Sequence, residues 1–98
     1  MSVIVNLLIP VKKEAKPQFY ADFATLVGAT RTKPACQWLY LADNAETGHV
    51  EVVSMWDSKK DYDEYLNWRM SYGALDGMAD ILEGEPVWRF LDVQHAFP

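Results

Sequence analysis

The chain has 98 residues, half of them hydrophobic, with four Trp, five Tyr and four Phe; this fits one packed domain over residues 1–98 and excludes a disordered chain. Nine Lys plus Arg against fourteen Asp plus Glu leave a formal net charge of -5, the wrong sign for neutralising phosphates, so nucleic acid and anionic membrane are excluded as partners. No apolar run reaches the roughly 18–20 residues of a membrane span, the N-terminus lacks a secretory-signal pattern, and one cysteine with two histidines is too few for a disulfide or a structural zinc site, so a soluble, cytoplasmic, metal-free protein is expected.

Val3 to Val11 is a run of β-branched residues and leucine closed by Lys12, Lys13 and Glu14, and it reads as a strand with both faces apolar, interrupted only by Asn6. Pro17 suits the first turn of a helix, and Phe19, Phe23, Leu26, Val27 and Thr30 then recur on one helical stripe that must stop before Pro34. Ala35 to Leu41, the turn residues Asp43, Asn44 and Gly48, and His49 to Trp56 form an antiparallel hairpin with a loop longer than the tightest type. Asp57 or Ser58 caps a second helix, with Asp61 completing an approximate capping box, and Tyr62, Leu66 and Arg69 share one stripe with Tyr65, Trp68 and Tyr72 beside it. Gly73 marks a bend, Leu75 to Leu82 restart a helical period that ends at Gly84 and Pro86, and Val87 to Val93 is the last strand.

Strand, helix, strand, strand, helix, strand with right-handed crossovers makes an α+β, ferredoxin-like βαββαβ sandwich with both helices on one sheet face. The second face is also apolar, since Ile4 and Leu8 oppose Val3, Val5, Leu7 and Ile9, and Val53 and Met55 oppose Val50, Val52 and Trp56. A bare apolar face of that size calls for a partner sheet, most simply that of a second copy, and predicts a homodimer through the sheet face.

The N-terminal strand, TRTKPACQWLYL, VVSMWDSKKDYDEYL and EPVWRFLDV together resemble the antibiotic biosynthesis monooxygenase family over nearly the whole chain. The most specific piece is a hydrophobic strand ending in Trp, then Asp/Glu-Ser and a helix with an aromatic six residues after the Trp: Trp56, Asp57, Ser58 and Tyr62. A second is proline, a small residue and cysteine: Pro34, Ala35 and Cys36. The resemblance implies a dimeric α+β barrel, a small-molecule pocket between sheet and helices, and a cofactor-independent oxidation of a quinol-like or polycyclic phenolic substrate by O2. This chain departs from the family's patterns at Val52, where some members carry Asn, at Asp76, near which they carry Arg, and at Tyr65, where others carry His. Leu75 stands where haem-degrading members carry a haem-ligating His, so no haem bound by that route is implied.

Oxygenation without a cofactor needs a deprotonated phenol or hydroquinone held with O2 in a dry pocket, and donors to steady its oxyanion. Trp56 and Tyr62 are the candidate catalytic aromatics, and Tyr65, Trp68, Arg69 and Tyr72 are candidate substrate-binding residues; each also reads as core packing or, for Arg69, as a solvated or paired cation. Asn6, an amide amid apolar residues, is either an oxyanion donor or a group bonded internally. His49 and His95 read as surface residues, Cys36 as a buried inert thiol, and Asp57, Asp61, Asp63 and Glu64 as a solvated helix start. Two further readings stay open: a non-redox dimeric protein that binds or isomerises a small aromatic metabolite, and a purely structural module.

Overall fold

The computed structural model describes residues 2–71 and 77–97, without the side chains of Ala29 and Arg31. In chain order it contains β1 (Val3–Ile9), a 3-10 turn (Lys13–Ala15), α1 (Lys16–Arg31), β2 (Cys36–Asp43), β3 (Val50–Trp56), α2 (Lys59–Ser71), the single turn α3 (Met78–Ile81) and β4 (Val87–Asp92). The strands form one sheet in the order β2-β3-β1-β4 with every neighbouring pair antiparallel, which is the expected ferredoxin-like arrangement. The expected bend at Gly73 and the residues Tyr72, Leu75 and Asp76 lie outside the described residues.

Several boundaries differ from the sequence reading for local reasons. The first strand ends at Ile9, because Pro10 has no N–H to give the ladder, and Val11 instead makes an isolated bridge to Leu82. Strand β2 runs on through Asp43, the residue read as the start of the turn, and β4 stops at Asp92. The β2–β3 register shifts between Cys36 and Trp38, and this extra residue reverses the alternation: Cys36 faces the helices and Trp38 faces away, although their spacing alone would put them on one face. The second helix starts as expected, with the Ser58 hydroxyl accepting from Asp61 N at 3.1 Å and donating to Asp61 Oδ2 at 2.8 Å.

Helix α1 packs Phe19 against Ile9, Val50 and Val52, and α2 packs Tyr62 against Val3, Val5, Cys36 and Trp56, so two hydrophobic clusters cover the same face of the sheet. Between them α1 stands away from the sheet. Phe19 and Thr30 on its inner stripe are buried, whereas Leu26 on the same stripe is 45% exposed. The opposite sheet face carries Ile4, Leu8, Val53, Met55, Trp38, Tyr40, Val87 and Leu91, placed together by the register and met by no helix in the two clusters. Among the described residues no helix is long and apolar enough to cross a membrane.

Candidate functional site

The gap beneath α1 is a cavity of about 560 Å³, a size suited to a small organic ligand. Its floor is the sheet, through Val5, Leu7, Ile9, Leu39, Val52, Ser54 and Trp56; its walls include Phe19, Phe23 and Leu26 of α1 and Tyr62, Tyr65 and Arg69 of α2. Strand period and helix period cooperate here. Residues 52, 54 and 56 of β3 point to one face, and residues 62, 65 and 69 of α2 stack on successive turns above the end of that strand. The hydrogen bond from Asp57 N to Ala35 O at 3.0 Å and the Ser58 cap hold the connection between them.

Trp56, 1% exposed, is the hub of the aromatic end. Its ring lies 4.7 Å from Tyr65 and 5.5 Å, edge to face, from Tyr62, spacings at which aromatic pairs attract beyond their buried area. Its indole Nε1 donates to Ser54 Oγ at 2.9 Å. The Tyr62 hydroxyl accepts from Trp88 Nε1 at 3.0 Å. Arg69 ties the two helices together: Nε donates to the Tyr65 hydroxyl at 2.9 Å, and Nη2 donates to the Leu26 carbonyl at 2.7 Å and to Thr30 Oγ1 at 2.6 Å. The Leu26 carbonyl belongs to the last turns of α1, where a cation meets the negative end of the helix dipole. The Tyr65 hydroxyl and Thr30 Oγ1 close this network at 2.7 Å.

Of the residues singled out from the sequence, the cavity brings together Trp56, Tyr62, Tyr65 and Arg69. Trp68 stands behind Tyr65 in a separate, shallower depression with Lys33, whose ammonium lies 3.9 Å from its ring centre. Tyr72 lies outside the described residues. Asn6 is not brought to the cavity, so of its two readings the structure fits the internally bonded amide and not an oxyanion donor within this cavity. Side chains alternate along a strand, so with Val5 and Leu7 on the floor Asn6 turns to the other face. There its Nδ2 donates to Glu51 Oε1 at 3.2 Å, while Glu51 Oε2 accepts from Asn44 at 2.7 Å. His49, His95 and Cys36 do not line the cavity.

Ser54, Thr30 and Trp88 escaped the sequence reading. Ser54 carried a usable signal, because it lies two residues before Trp56 on the same strand and must share its face. Thr30 was visible on the inner stripe of α1 but not as a partner of Tyr65 and Arg69, a meeting that depends on how the helices cross.

Burial pushes the Tyr62 phenol up from 10.0 to about 12, against the opposing effect of the Trp88 indole, which favours the phenolate. Tyr62 is therefore a neutral hydrogen-bonding group at physiological pH and not a proton acceptor. A group whose folded pKa is raised contributes its stability below the unfolded pKa and loses it as pH rises through the folded value. Stability should fall between pH 10 and about 12 by roughly 2–3 kcal/mol from this group alone. Denaturant titrations across that range check this, and in Tyr62→Phe this part of the pH dependence should disappear.

A family model for antibiotic biosynthesis monooxygenase matches residues 2–70. No curated protein matches the chain. Among solved structures it is similar to a Caulobacter crescentus CB15 protein named as a candidate antibiotic biosynthesis monooxygenase, with 20% identity over 96% of this chain and 91% of that one and a TM-score of 0.83. It is also similar to the Streptomyces coelicolor monooxygenase ActVA-Orf6 in complex with nanaomycin D, with 17% identity, 99% and 91% coverage and a TM-score of 0.77. A third similar structure is the Mycobacterium tuberculosis haem-degrader MhuD with two haems bound, with 19% identity, 98% and 99% coverage and a TM-score of 0.76. At these identities the structural likenesses bear on the fold alone.

Proposed function

Because the chain belongs to the antibiotic biosynthesis monooxygenase family, we propose that the cavity floored by Trp56 takes a flat, electron-rich phenol, hydroquinone or related polycyclic ketone and oxygenates it with O2 without a cofactor, in a cytoplasmic homodimer. The observation that carries this reading is the cavity itself: about 560 Å³ of largely apolar space with Trp56, Tyr62 and Tyr65 along one end and hydroxyl groups set among them. Loss of a proton makes such a substrate electron-rich enough to reduce O2 directly. One oxygen atom enters a carbon–oxygen bond and the other leaves as water: a ring CH2 becomes C=O and gives both of its hydrogens to that water, or a hydroquinone ring C–H becomes C–OH while the hydroquinone itself is oxidised to the quinone and supplies the remaining two electrons and two protons, so no external reductant is needed. The protein's part is to exclude bulk water, stack the ring and place donors where negative charge gathers.

The homodimer rests on the apolar face opposite the helices, where Tyr40 is 66%, Leu91 53% and Val87 48% exposed. One observation favours the second reading, ligand binding without oxygen consumption: the Trp56 indole N–H is spent on Ser54 and is not offered directly to a ligand.

Oxygen uptake under metal chelation, with a panel of hydroquinones and anthrones, tests the proposal. Uptake at least tenfold above the autoxidation rate without protein is expected, falling by at least tenfold in Trp56→Phe with the ligand still bound. Uptake equal to autoxidation for every ligand that binds would discard oxygenation in favour of the second reading.

A further inference from the structure

The polar groups at the aromatic end of the cavity are biased toward donating. An indole N–H can give a hydrogen bond but cannot accept one. Trp56 gives its proton to Ser54, and Trp88 gives its proton to Tyr62. Each hydroxyl oxygen is thereby used as an acceptor, and its own O–H proton must find an acceptor elsewhere. Ser54 and Tyr62 are 3% and 5% exposed, and both line the cavity. Among the described residues neither side-chain hydroxyl makes a further hydrogen bond. A buried hydroxyl proton without an acceptor costs about 1–3 kcal/mol, which a ligand oxygen recovers and a ligand N–H or O–H proton does not.

We propose that Trp56 and Trp88 are positioning residues that each occupy a lone pair of the Ser54 and Tyr62 oxygens and so bias this pair of hydroxyls toward donating, so that the cavity favours ligands presenting an acceptor oxygen, a carbonyl, a quinone or an ionised phenolate, over ligands offering only a neutral N–H. Neutrality of Tyr62 supports this, since its phenol keeps its proton to about pH 12 and so remains a donor throughout the physiological range. For the proposed oxygenase, on which the catalytic meaning of this inference rests, the consequence is a division of labour. The Ser54 and Tyr62 donors bind the substrate's oxyanion and the product's carbonyl, and they take no proton themselves. The donors hold the ionised substrate, whose proton has gone to water.

Three tricyclic ligands of nearly the same shape separate these cases: fluorenone, which only accepts; carbazole, which only donates; and fluorene, which does neither. Equilibrium binding, read by quenching of the tryptophan fluorescence or by calorimetry, needs no turnover. Comparing wild type with variant cancels each ligand's own hydration. The fluorenone-to-fluorene affinity ratio should fall by roughly three- to tenfold in Tyr62→Phe, the worth of one hydrogen bond. In Trp88→Phe the Tyr62 oxygen is released to accept, so carbazole should gain at least threefold relative to fluorene. A merely structural role for Trp88 would weaken all three ligands together. Ratios unchanged in both variants, or carbazole preferred over fluorenone by the wild-type protein, would overturn the proposal; if Trp88→Phe does not fold, the wild-type ranking and Tyr62→Phe decide it. Selective binding of fluorenone without oxygen consumption on any substrate counts against the oxygenase reading alone. Oxygen consumption with unchanged ratios counts against the donor pair alone.

Discussion

Replacing Trp56 by alanine is expected to remove about 3–5 kcal/mol of stability, the usual cost of truncating a buried tryptophan. The side chain is 1% exposed and lies in the cluster with Val3, Val5, Cys36 and Tyr62. Its loss removes ring contacts to Tyr62 and Tyr65 and leaves the Ser54 hydroxyl without its donor. The site already borders the cavity, so neighbouring side chains have little with which to refill the space. Against a total of about 5–15 kcal/mol for a domain, Trp56→Ala should unfold at a much lower urea concentration or fail to accumulate as folded protein. Trp56→Phe keeps an aromatic ring and forfeits the indole bond, so a loss of about 1–2 kcal/mol is expected. A urea midpoint for Trp56→Ala within experimental error of wild type would show that Trp56 does not organise this end of the core.

The second large effect is expected at the sheet face that the helices leave uncovered. Wild-type protein at micromolar concentration should sediment at twice the 11.2 kDa chain mass. Val53 pairs with Asn6 on one side and Tyr40 on the other, near the middle of this face. A lysine at this position would place an ammonium between two apposed sheets, a penalty of several kcal/mol, and Val53→Lys should weaken the dimer by at least a hundredfold and sediment as the monomer. The isolated chain tolerates the change better, because a lysine on an uncovered face can extend its ammonium into water. Asn6 Oδ1, buried and without a partner among the described residues, lies on the same face and is the kind of group a donor from a facing sheet would satisfy. A wild-type monomer at these concentrations, or a Val53→Lys protein that remains dimeric, would exclude this face as the dimer contact.

Much of the architecture was legible from local patterns. Alternation along Val3–Ile9 and Val50–Trp56, the stripe Phe19–Phe23–Thr30, Pro34, and the Ser58 cap define elements that depend on residues a few positions apart. The two-faced apolar pattern of β1 and β3 likewise foretold a sheet with a second apolar side that the helices leave uncovered, because parity alone decides which side chains share a face. Within the site, periodicity placed Tyr62 and Arg69 on one stripe of α2 with Tyr65 beside it, the family resemblance singled out Trp56 and Tyr62, and all four line one cavity.

Tertiary structure decided the rest, for reasons no local pattern contains. The register shift after Cys36 exchanged the faces of β2, since a bulge depends on how one strand pairs with its neighbour. Asn6 answered to the same parity that was read for Val5 and Leu7, yet its partner Glu51 lies 45 residues away, a meeting set by strand register. Thr30, Tyr65 and Arg69 join only because α1 and α2 cross where they do, and Trp88 reaches Tyr62 only because β4 lies beside β1. Sequence therefore specified the elements, the faces of β1 and β3, and the aromatic character of the site. Packing specified which hydroxyls donate and which side chains are left facing out, because hydrogen-bond direction and burial are properties of pairs distant in the chain.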